Sequence, residues 1–294
     1  MSGLAVILTL ATVACYAGQN FFTKLYSEKF TGEASAATPV FAIFYGLIVG
    51  AATFIYNGFT LHPDTATLIM GLGNGLALFM YNISYIKSSQ TGPYSFQVLM
   101  QSFGNLFIPL MLNITLWQES LKPFAIAGII FMFGSLFLFN CKGLKFADAK
   151  KGYWLWVILL FVSNGAYSEL IDAHHRTCGD ELRQEMIIIT YFTAAVIAAV
   201  YLLATKKTQF FPSFRMGKKS LIFMIIASLC AAAAINVLMF VLNYVSSTVL
   251  YPATAGLLMI VNAVLSAFVF HEKLKINHIL AICCAVVSLV LLNL

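Results

Sequence analysis

The sequence GPYSFQVLMQSFGNLFIPLMLNITLWQESLK, residues 92–122, is apolar enough for a membrane helix but carries polar amides at a regular interval. Gln97, Gln101 and Asn105 recur every fourth residue, so an α-helix places the three side chains on one face. An amide that faces lipid without a hydrogen-bond partner is strongly unfavourable. We therefore expect this amide row to face other helices. Its function is either interhelical hydrogen bonding or one wall of a polar solute path.

The whole chain has the composition of an integral membrane protein. Of its 294 residues, 61% are hydrophobic and only 10% are charged, whereas about a quarter of the residues in a soluble domain are charged. Apolar runs of about 20 residues recur, and each is long enough to cross a hydrocarbon core about 30 Å thick. The runs lack the alternation of a membrane β-barrel, so the predicted fold class is all-α integral membrane.

Ten apolar runs are predicted to be transmembrane helices. Their approximate bounds are 4–26, 38–57, 66–86, 94–116, 122–140, 153–171, 186–204, 219–243, 248–270 and 276–293. The connectors between them are too short to fold as separate domains.

Two turns related by an offset of 153 residues indicate an internal repeat. The segment Gln118–Lys122 closes the fourth run and His271–Lys275 closes the ninth, with Glu, Leu and Lys matching. The same offset places Pro109 opposite Asn262. We therefore predict two repeats of five helices each.

Because each repeat has an odd number of helices, the second repeat begins on the opposite side of the membrane from the first and is inverted relative to it. The predicted domains are residues 1–146, the first repeat, and residues 147–294, the second and inverted repeat. Many secondary transporters share this plan, with a substrate site near the bilayer midplane between the repeats. Fourteen of the 17 Lys and Arg fall in connectors after odd-numbered runs. This charge bias predicts that those connectors are cytoplasmic and that both termini lie outside.

With this organisation, the chain resembles the ten-helix EamA-like family of the drug/metabolite transporter superfamily. The resemblance is carried by Gly18–Lys24 at the end of the first run and by the Glu-x-Leu turns at Glu119 and Glu272. It covers nearly the whole chain. It implies two inverted repeats, alternating access, and a multi-pass exporter in the plasma (inner) membrane.

The predicted solute site consists of amides, one tyrosine and one lysine from several runs. The proposed substrate-binding residues are Gln97, Gln101, Asn105, Asn74, Tyr81, Asn20, Lys24, Asn164, Asn236, Asn243 and Asn262. Lys24 has a second interpretation, because a lysine at the end of a span often extends its ammonium group to the lipid headgroups. Glu169 is the candidate proton-coupling carboxylate, and a solvated helix end is its alternative interpretation.

These mostly neutral groups favour small polar or zwitterionic metabolites, such as amino acids or related compounds. The predicted function is secondary active transport by alternating access, and the protein is not predicted to be an enzyme. One alternative is a flippase for a lipid-linked amphiphile on the same fold. The other is a membrane enzyme, for which only the segment containing His174 and His175 offers a cluster of suitable groups.

No cofactor, metal or nucleic acid is expected. His174, His175 and Cys178 lie close in sequence but lack a partner motif for a metal. The glycines of Gly71–Gly75 lie in an apolar run without a P-loop lysine, which argues against ATP-driven pumping. No basic stretch is interleaved with aromatics as in a nucleic-acid surface. The expected partners are a small-molecule substrate and the lipid bilayer, with a homodimer left open.

Overall fold

A computed structural model describes residues 3–31, 34–91, 94–120, 122–140, 152–205, 213–214, 216–269 and 276–292. Within these ranges the chain forms ten α-helices and no strand. The helices are α1 Gly3–Lys29, α2 Ala34–Tyr56, α3 Thr65–Thr91, α4 Tyr94–Thr115, α5 Pro123–Asn140, α6 Tyr153–Cys178, α7 Arg183–Thr205, α8 Lys218–Val241, α9 Ser247–Val269 and α10 Ile276–Leu292.

The helices have the length and surface of membrane helices. Six of them, α1, α2, α3, α6, α7 and α8, are long and apolar enough to cross a bilayer, and α5 and α10 are shorter apolar helices. Large apolar side chains point outward from several helices, and Ile7, Ile69, Ile130 and Val196 are each more than 60% exposed. Such a surface is unfavourable in water and suited to lipid. The protein is therefore a multi-pass α-helical membrane protein.

The helices form two compact units, and each unit draws on both halves of the sequence. Unit 1 consists of Met1–Ala14, Ser84–Glu169 and Val241–Leu294, and unit 2 of Cys15–Ile83 and Leu170–Phe240. Helices α1, α3 and α6 contribute one part to each unit. The predicted repeats 1–146 and 147–294 are a division along the sequence, so each unit contains helices of both.

The centre of unit 2 is an antiparallel pair formed by α2 and α7. A Cβ atom at Gly46 would lie 2.5 Å from the Tyr191 carbonyl oxygen and 2.8 Å from Ala195 Cβ, so the close approach requires glycine. Asn57, just after α2, donates a hydrogen bond of 3.1 Å to Glu185 in the first turn of α7. The end of α2 therefore meets the start of α7. At the other end of the pair, an apolar core contains Ala36, Val40, Ala42, Ile43, Ala198 and Leu202.

Unit 1 has a corresponding antiparallel pair, α5 and α10. The Ser135 hydroxyl donates a 2.6 Å hydrogen bond to the Ala281 carbonyl oxygen. The Ser288 hydroxyl donates a 2.6 Å bond in the other direction, to the carbonyl oxygen of Gly128. Helix α9 packs against this pair and against α4. Small residues allow these close contacts, as is typical of helix packing in membranes.

Helix α4, which carries the amide row, runs parallel to the first part of α6. A Cβ atom at Gly104 would overlap the carbonyl oxygen of Phe161, and one at Gly165 would overlap the side chain of Ile108. Both contacts pair residues with the same sequence spacing, so the two helices run in the same direction. Two even-numbered helices run parallel, whereas α2–α7 and α5–α10 run antiparallel. These directions are the ones that successive crossings of a membrane require.

Candidate functional site

The first member of the amide row, Gln97, is fully buried in unit 1. Its Nε2 donates a 2.8 Å hydrogen bond to the Tyr85 carbonyl oxygen near the end of α3. Because a carbonyl oxygen only accepts, this bond fixes which end of the amide is the donor. The Oε1 atom has no hydrogen-bond partner among the described residues. Gln97 therefore makes one interhelical contact and retains one acceptor for water or a solute.

The other two members of the row lie next to α6, Gln101 through its backbone and Asn105 through its side chain. Gln101 accepts, through its backbone oxygen, a 2.8 Å hydrogen bond from Asn164 Nδ2. The Asn105 side-chain oxygen accepts a hydrogen bond from the hydroxyl of Ser168. The row thus contributes to interhelical hydrogen bonding at these positions. A contact between these residues and a solute stays a prediction.

A second polar group lies near the midpoints of helices in unit 2. Gln19 on α1 donates a 3.2 Å hydrogen bond to the Tyr45 hydroxyl on α2. The rings of Tyr45 and Tyr191 have centroids 5.5 Å apart. Next to Tyr191 on α7, the Thr190 hydroxyl accepts a 3.4 Å bond from Asn74 Nδ2 on α3. We call these five residues the central polar cluster.

Two acceptor atoms of the central polar cluster are left over. The side chains of Tyr45, Asn74, Thr190 and Tyr191 are buried. Gln19 Oε1 and Asn74 Oδ1 have no hydrogen-bond partner among the described residues. A buried acceptor without a partner costs about 1–3 kcal/mol. We therefore expect water or a polar solute to satisfy these two oxygens.

Glycines on α3 bring Asn74 close to α7. A Cβ at Gly71 would lie 2.7 Å from Ile189 Cγ2, and one at Gly75 would lie 2.5 Å from Thr193 Cβ. The same spacing in both contacts shows that α3 and α7 run in the same direction. Gly71 and Gly75, on either side of Asn74, therefore allow α3 to pack closely against α7.

A further predicted amide, Asn236 on α8, also joins helices of unit 2. Its Nδ2 donates to the Thr53 hydroxyl on α2 at 3.1 Å and to its own helix at Ala232 at 2.8 Å. Its Oδ1 has no partner within the described residues. Of the other predicted residues, Asn20, Lys24 and Asn243 are exposed, Tyr81 and Asn164 are half-buried, and the side chain of Asn262 lies outside the described part.

The predicted coupling carboxylate, Glu169, is buried in unit 1. It accepts a 3.3 Å hydrogen bond from the Trp117 indole nitrogen. Glu119, two residues after Trp117, accepts a 2.6 Å hydrogen bond from the Thr248 hydroxyl in the first turn of α9. Asn113 donates to the same hydroxyl at 3.0 Å. The Glu-x-Leu turn at Glu119 thus fixes the start of α9, and a proton-coupling role for Glu169 stays a prediction.

The described residues contain no group of three His, Cys, Asp or Glu side chains placed to hold a metal ion. The three residues considered from sequence are spread along the last turns of α6. His174 contacts Thr67 instead, with Nε2 3.0 Å from the Thr67 hydroxyl oxygen.

Gln19 entered the prediction only as part of the Gly18–Lys24 segment that carries the resemblance. Tyr45, Tyr191 and Thr190 were not predicted as candidate site residues. Each is a single polar side chain in an apolar run, without a periodic partner on its own helix. Their common location depends on contacts between helices that are far apart in the sequence. The only available signal was a tyrosine or threonine near the middle of a predicted span.

Comparisons with known proteins bear on the fold alone. No family model and no curated protein matches the chain. Among solved structures, 29 chains match. One of them, described as "Crystal structure of protein", has a TM-score of 0.77 and 14% sequence identity, and the match covers 100% of this chain and 99% of the other. The fold is therefore similar to that of a solved protein of nearly equal length.

Proposed function

We propose that this protein is a secondary active transporter that moves small polar or zwitterionic metabolites by alternating access. The observation that supports this most is the central polar cluster, with its unpartnered oxygens Gln19 Oε1 and Asn74 Oδ1. The cluster lies near the middle of apolar helices, where a carrier binds its substrate. It contains no ionised side chain and no nucleophile–base pair, so it suits reversible binding.

The helix pairing supports the inverted repeat that alternating access uses. Helices α2 and α7 are the second helices of the two predicted repeats, and α5 and α10 are the fifth. Each pair is antiparallel, as corresponding helices of inverted repeats must be. We accordingly propose the EamA-like plan, with repeats 1–146 and 147–294, and export across the plasma (inner) membrane as its direction.

The central polar cluster also favours one kind of solute. Its unpartnered atoms are both acceptors, so the solute must bring hydrogen-bond donors such as an ammonium, amide or hydroxyl group. The ring pair of Tyr45 and Tyr191 provides an apolar or cation-binding surface beside them. Amino acids and related compounds combine these features.

The first test is a thermal-stability screen of the detergent-purified protein. The panel contains amino acids, nucleosides, sugar phosphates, organic cations and lipid precursors. A solute that binds the native state at 100 times its Kd stabilises it by about 2.7 kcal/mol. We expect one class of soluble metabolite to raise the melting temperature. The increase should be absent in Asn74→Leu and retained in the exposed control Thr115→Val.

The second test measures transport of the same solute into proteoliposomes. We expect saturable uptake that is accelerated by unlabelled solute on the other side, because a carrier exchanges solute faster than it returns empty. If only amphiphiles raised the melting temperature, the proposed function would change from a carrier of soluble metabolites to a flippase. If the protein converted the solute chemically, the proposed function would change to that of an enzyme. Absence of both binding and uptake across the panel would contradict the proposal.

A further inference from the structure

A separate polar group lies at one end of unit 2, where α2 and α6 end and α3 and α7 begin. His174 is fully buried, and its Nε2 lies 3.0 Å from the Thr67 hydroxyl oxygen. Glu185 is also buried, and its Oε1 accepts a 3.1 Å hydrogen bond from Asn57 Nδ2. A buried ionisable side chain is costly unless it is paired or hydrogen-bonded, so each is a candidate for function.

The packing of α3 on α7 places these two groups at the same level. The two helices run in the same direction and meet where Gly71 contacts Ile189. One turn earlier on both helices are Thr67 and Glu185. Thr67 therefore contacts the His174 imidazole of α6. Glu185 of α7 lies at the same height as Thr67 along the two parallel helices.

Each of the two ionisable groups has one polar atom that is left without a hydrogen-bond partner in the described part of the chain. His174 Nδ1 and Glu185 Oε2 have no hydrogen-bond partner among the described residues. The nearest cation on α7, Arg183, is paired with Asp180 at 2.5 Å and lies over the ring of Phe240. Among the described residues, its ion pair is therefore with Asp180 and not with Glu185.

The other charged or titratable groups around His174 are few. On α6 they are the neighbouring His175 and the ion pair between Asp172 and Arg176, whose side chains are 2.8 Å apart. From the start of α3 the only one described is Asp64. Glu185 is thus the buried anion available to balance a proton on the imidazole.

A route from solvent reaches the buried imidazole through Thr67. Asp64 is exposed at the start of α3 and accepts a 2.7 Å hydrogen bond from the Thr67 backbone nitrogen. Hydrogen bonds from the side chain and backbone of Thr67 lower the pKa of Asp64. Thr67 thus binds an exposed carboxylate through its backbone nitrogen and contacts His174 through its hydroxyl. A hydroxyl both donates and accepts, so the Thr67 hydroxyl can pass a proton to His174.

We propose that His174 and Glu185 form a proton-binding site, supplied from solvent through Asp64 and Thr67. Neutral His174 carries its own proton on Nδ1, so Nε2 is the nitrogen that accepts. An incoming proton on Asp64 passes to the Thr67 oxygen as the Thr67 proton passes to His174 Nε2. The imidazole becomes cationic and the Glu185 carboxylate balances it, so the site changes from one negative charge to none. Proton binding is independent of the transport proposal, whereas its use to drive transport depends on that proposal.

The test is a nuclear magnetic resonance titration of the full chain, labelled with [15N]histidine, in lipid nanodiscs. Replacing His62, His175, His271 and His278 with glutamine leaves His174 as the only histidine. We expect its ring nitrogens to show a proton-binding transition within the pH range over which the protein stays folded. In a Glu185→Gln version the midpoint should change by about one pH unit, because the balancing charge is absent. A His174 that does not titrate in this range, or that gives the same curve in both versions, would overturn the proposal.

Two further measurements keep the test decisive. If the single-histidine variant does not fold, the spectrum of the labelled wild-type protein is compared with that of labelled His174→Gln. The resonance that is missing from the second spectrum belongs to His174. Thr67→Val keeps the side-chain shape and removes the hydroxyl, so we expect slower protonation of His174 after a rapid pH change. An unchanged rate would exclude the route through Thr67. No solute is present in these measurements, so their failure would leave the transporter proposal standing.

Discussion

Replacing Gly46 with alanine would test the central packing of unit 2 with a single methyl group. The added Cβ would lie 2.5 Å from the Tyr191 carbonyl oxygen and 2.8 Å from Ala195 Cβ. Carbon atoms in favourable contact are about 3.5–4.0 Å apart. The obstacle on the Tyr191 side is helix backbone, which cannot rotate away as a side chain can. Helices α2 and α7 must therefore move apart.

The expected effect is the difference between two opposing contributions. Alanine is favoured over glycine in a helix interior by about 1 kcal/mol. Inserting a methyl group into a packed interior costs about 1–3 kcal/mol, and backbone obstacles place Gly46 at the upper end of that range. We expect Gly46→Ala to lower the free energy of unfolding by about 1–2 kcal/mol. Each kcal/mol corresponds to a decrease in melting temperature of about 2–4 °C.

The assay is the melting temperature of the detergent-purified protein, with Gly134→Ala as the matched control. Among the described residues, no atom outside its own helix backbone lies within 4 Å of a Cβ built at Gly134 on α5, so this substitution gains helix propensity without a clash. We expect Gly134→Ala to melt at or above the wild-type temperature. The packing argument would be refuted if Gly46→Ala were as stable as this control.

Three other substitutions test hydrogen bonds in the two units. Ser135→Ala removes the 2.6 Å bond to the Ala281 carbonyl oxygen, and we expect a loss of about 0.6–1.7 kcal/mol in unfolding free energy, measured by thermal melting. Asn74→Leu removes the buried unpartnered Oδ1 together with the 3.4 Å hydrogen bond to Thr190. These two effects oppose each other, so the melting temperature should remain close to the wild-type value while the solute-dependent increase disappears. Asp64 has a lowered pKa owing to Thr67, so its stabilising effect is present at neutral pH and is lost as the pH falls below about 4. Asp64→Asn should therefore show a smaller decrease in melting temperature between about pH 5 and pH 3 than the wild type. Equal decreases would contradict this assignment.

The number and positions of the helices could be predicted from hydropathy because each helix is predominantly apolar. The fourth apolar run, predicted as 94–116, is α4 from Tyr94 to Thr115. The sixth run was predicted to end at residue 171, but α6 continues to Cys178. Its last turns are polar and include the ion pair of Asp172 with Arg176. Hydropathy detects contact with lipid and does not detect a polar extension of the same helix.

The candidate site was less predictable because its contacts join distant parts of the sequence. The spacing of Gln97, Gln101 and Asn105 correctly placed them on one helix face, but spacing cannot show what that face contacts. The central polar cluster has no periodic pattern, since Tyr45 and Tyr191 lie on different helices and meet only after α2 packs on α7. A pairwise contact of this kind leaves no signal in one sequence.

Helix α3 connects the two sites proposed in unit 2. Thr67, on the route to the proton site, and Asn74, in the central polar cluster, are seven residues apart and therefore lie on one face, about 10 Å apart along the axis. On that face glycines hold α3 tightly against α7, so a small movement of α3 would change the surroundings of both residues together. Because the proton site changes its net charge, protonation can favour one position of α3 over another. A solute that binds differently in the two positions would then be coupled to the proton without any direct contact between them.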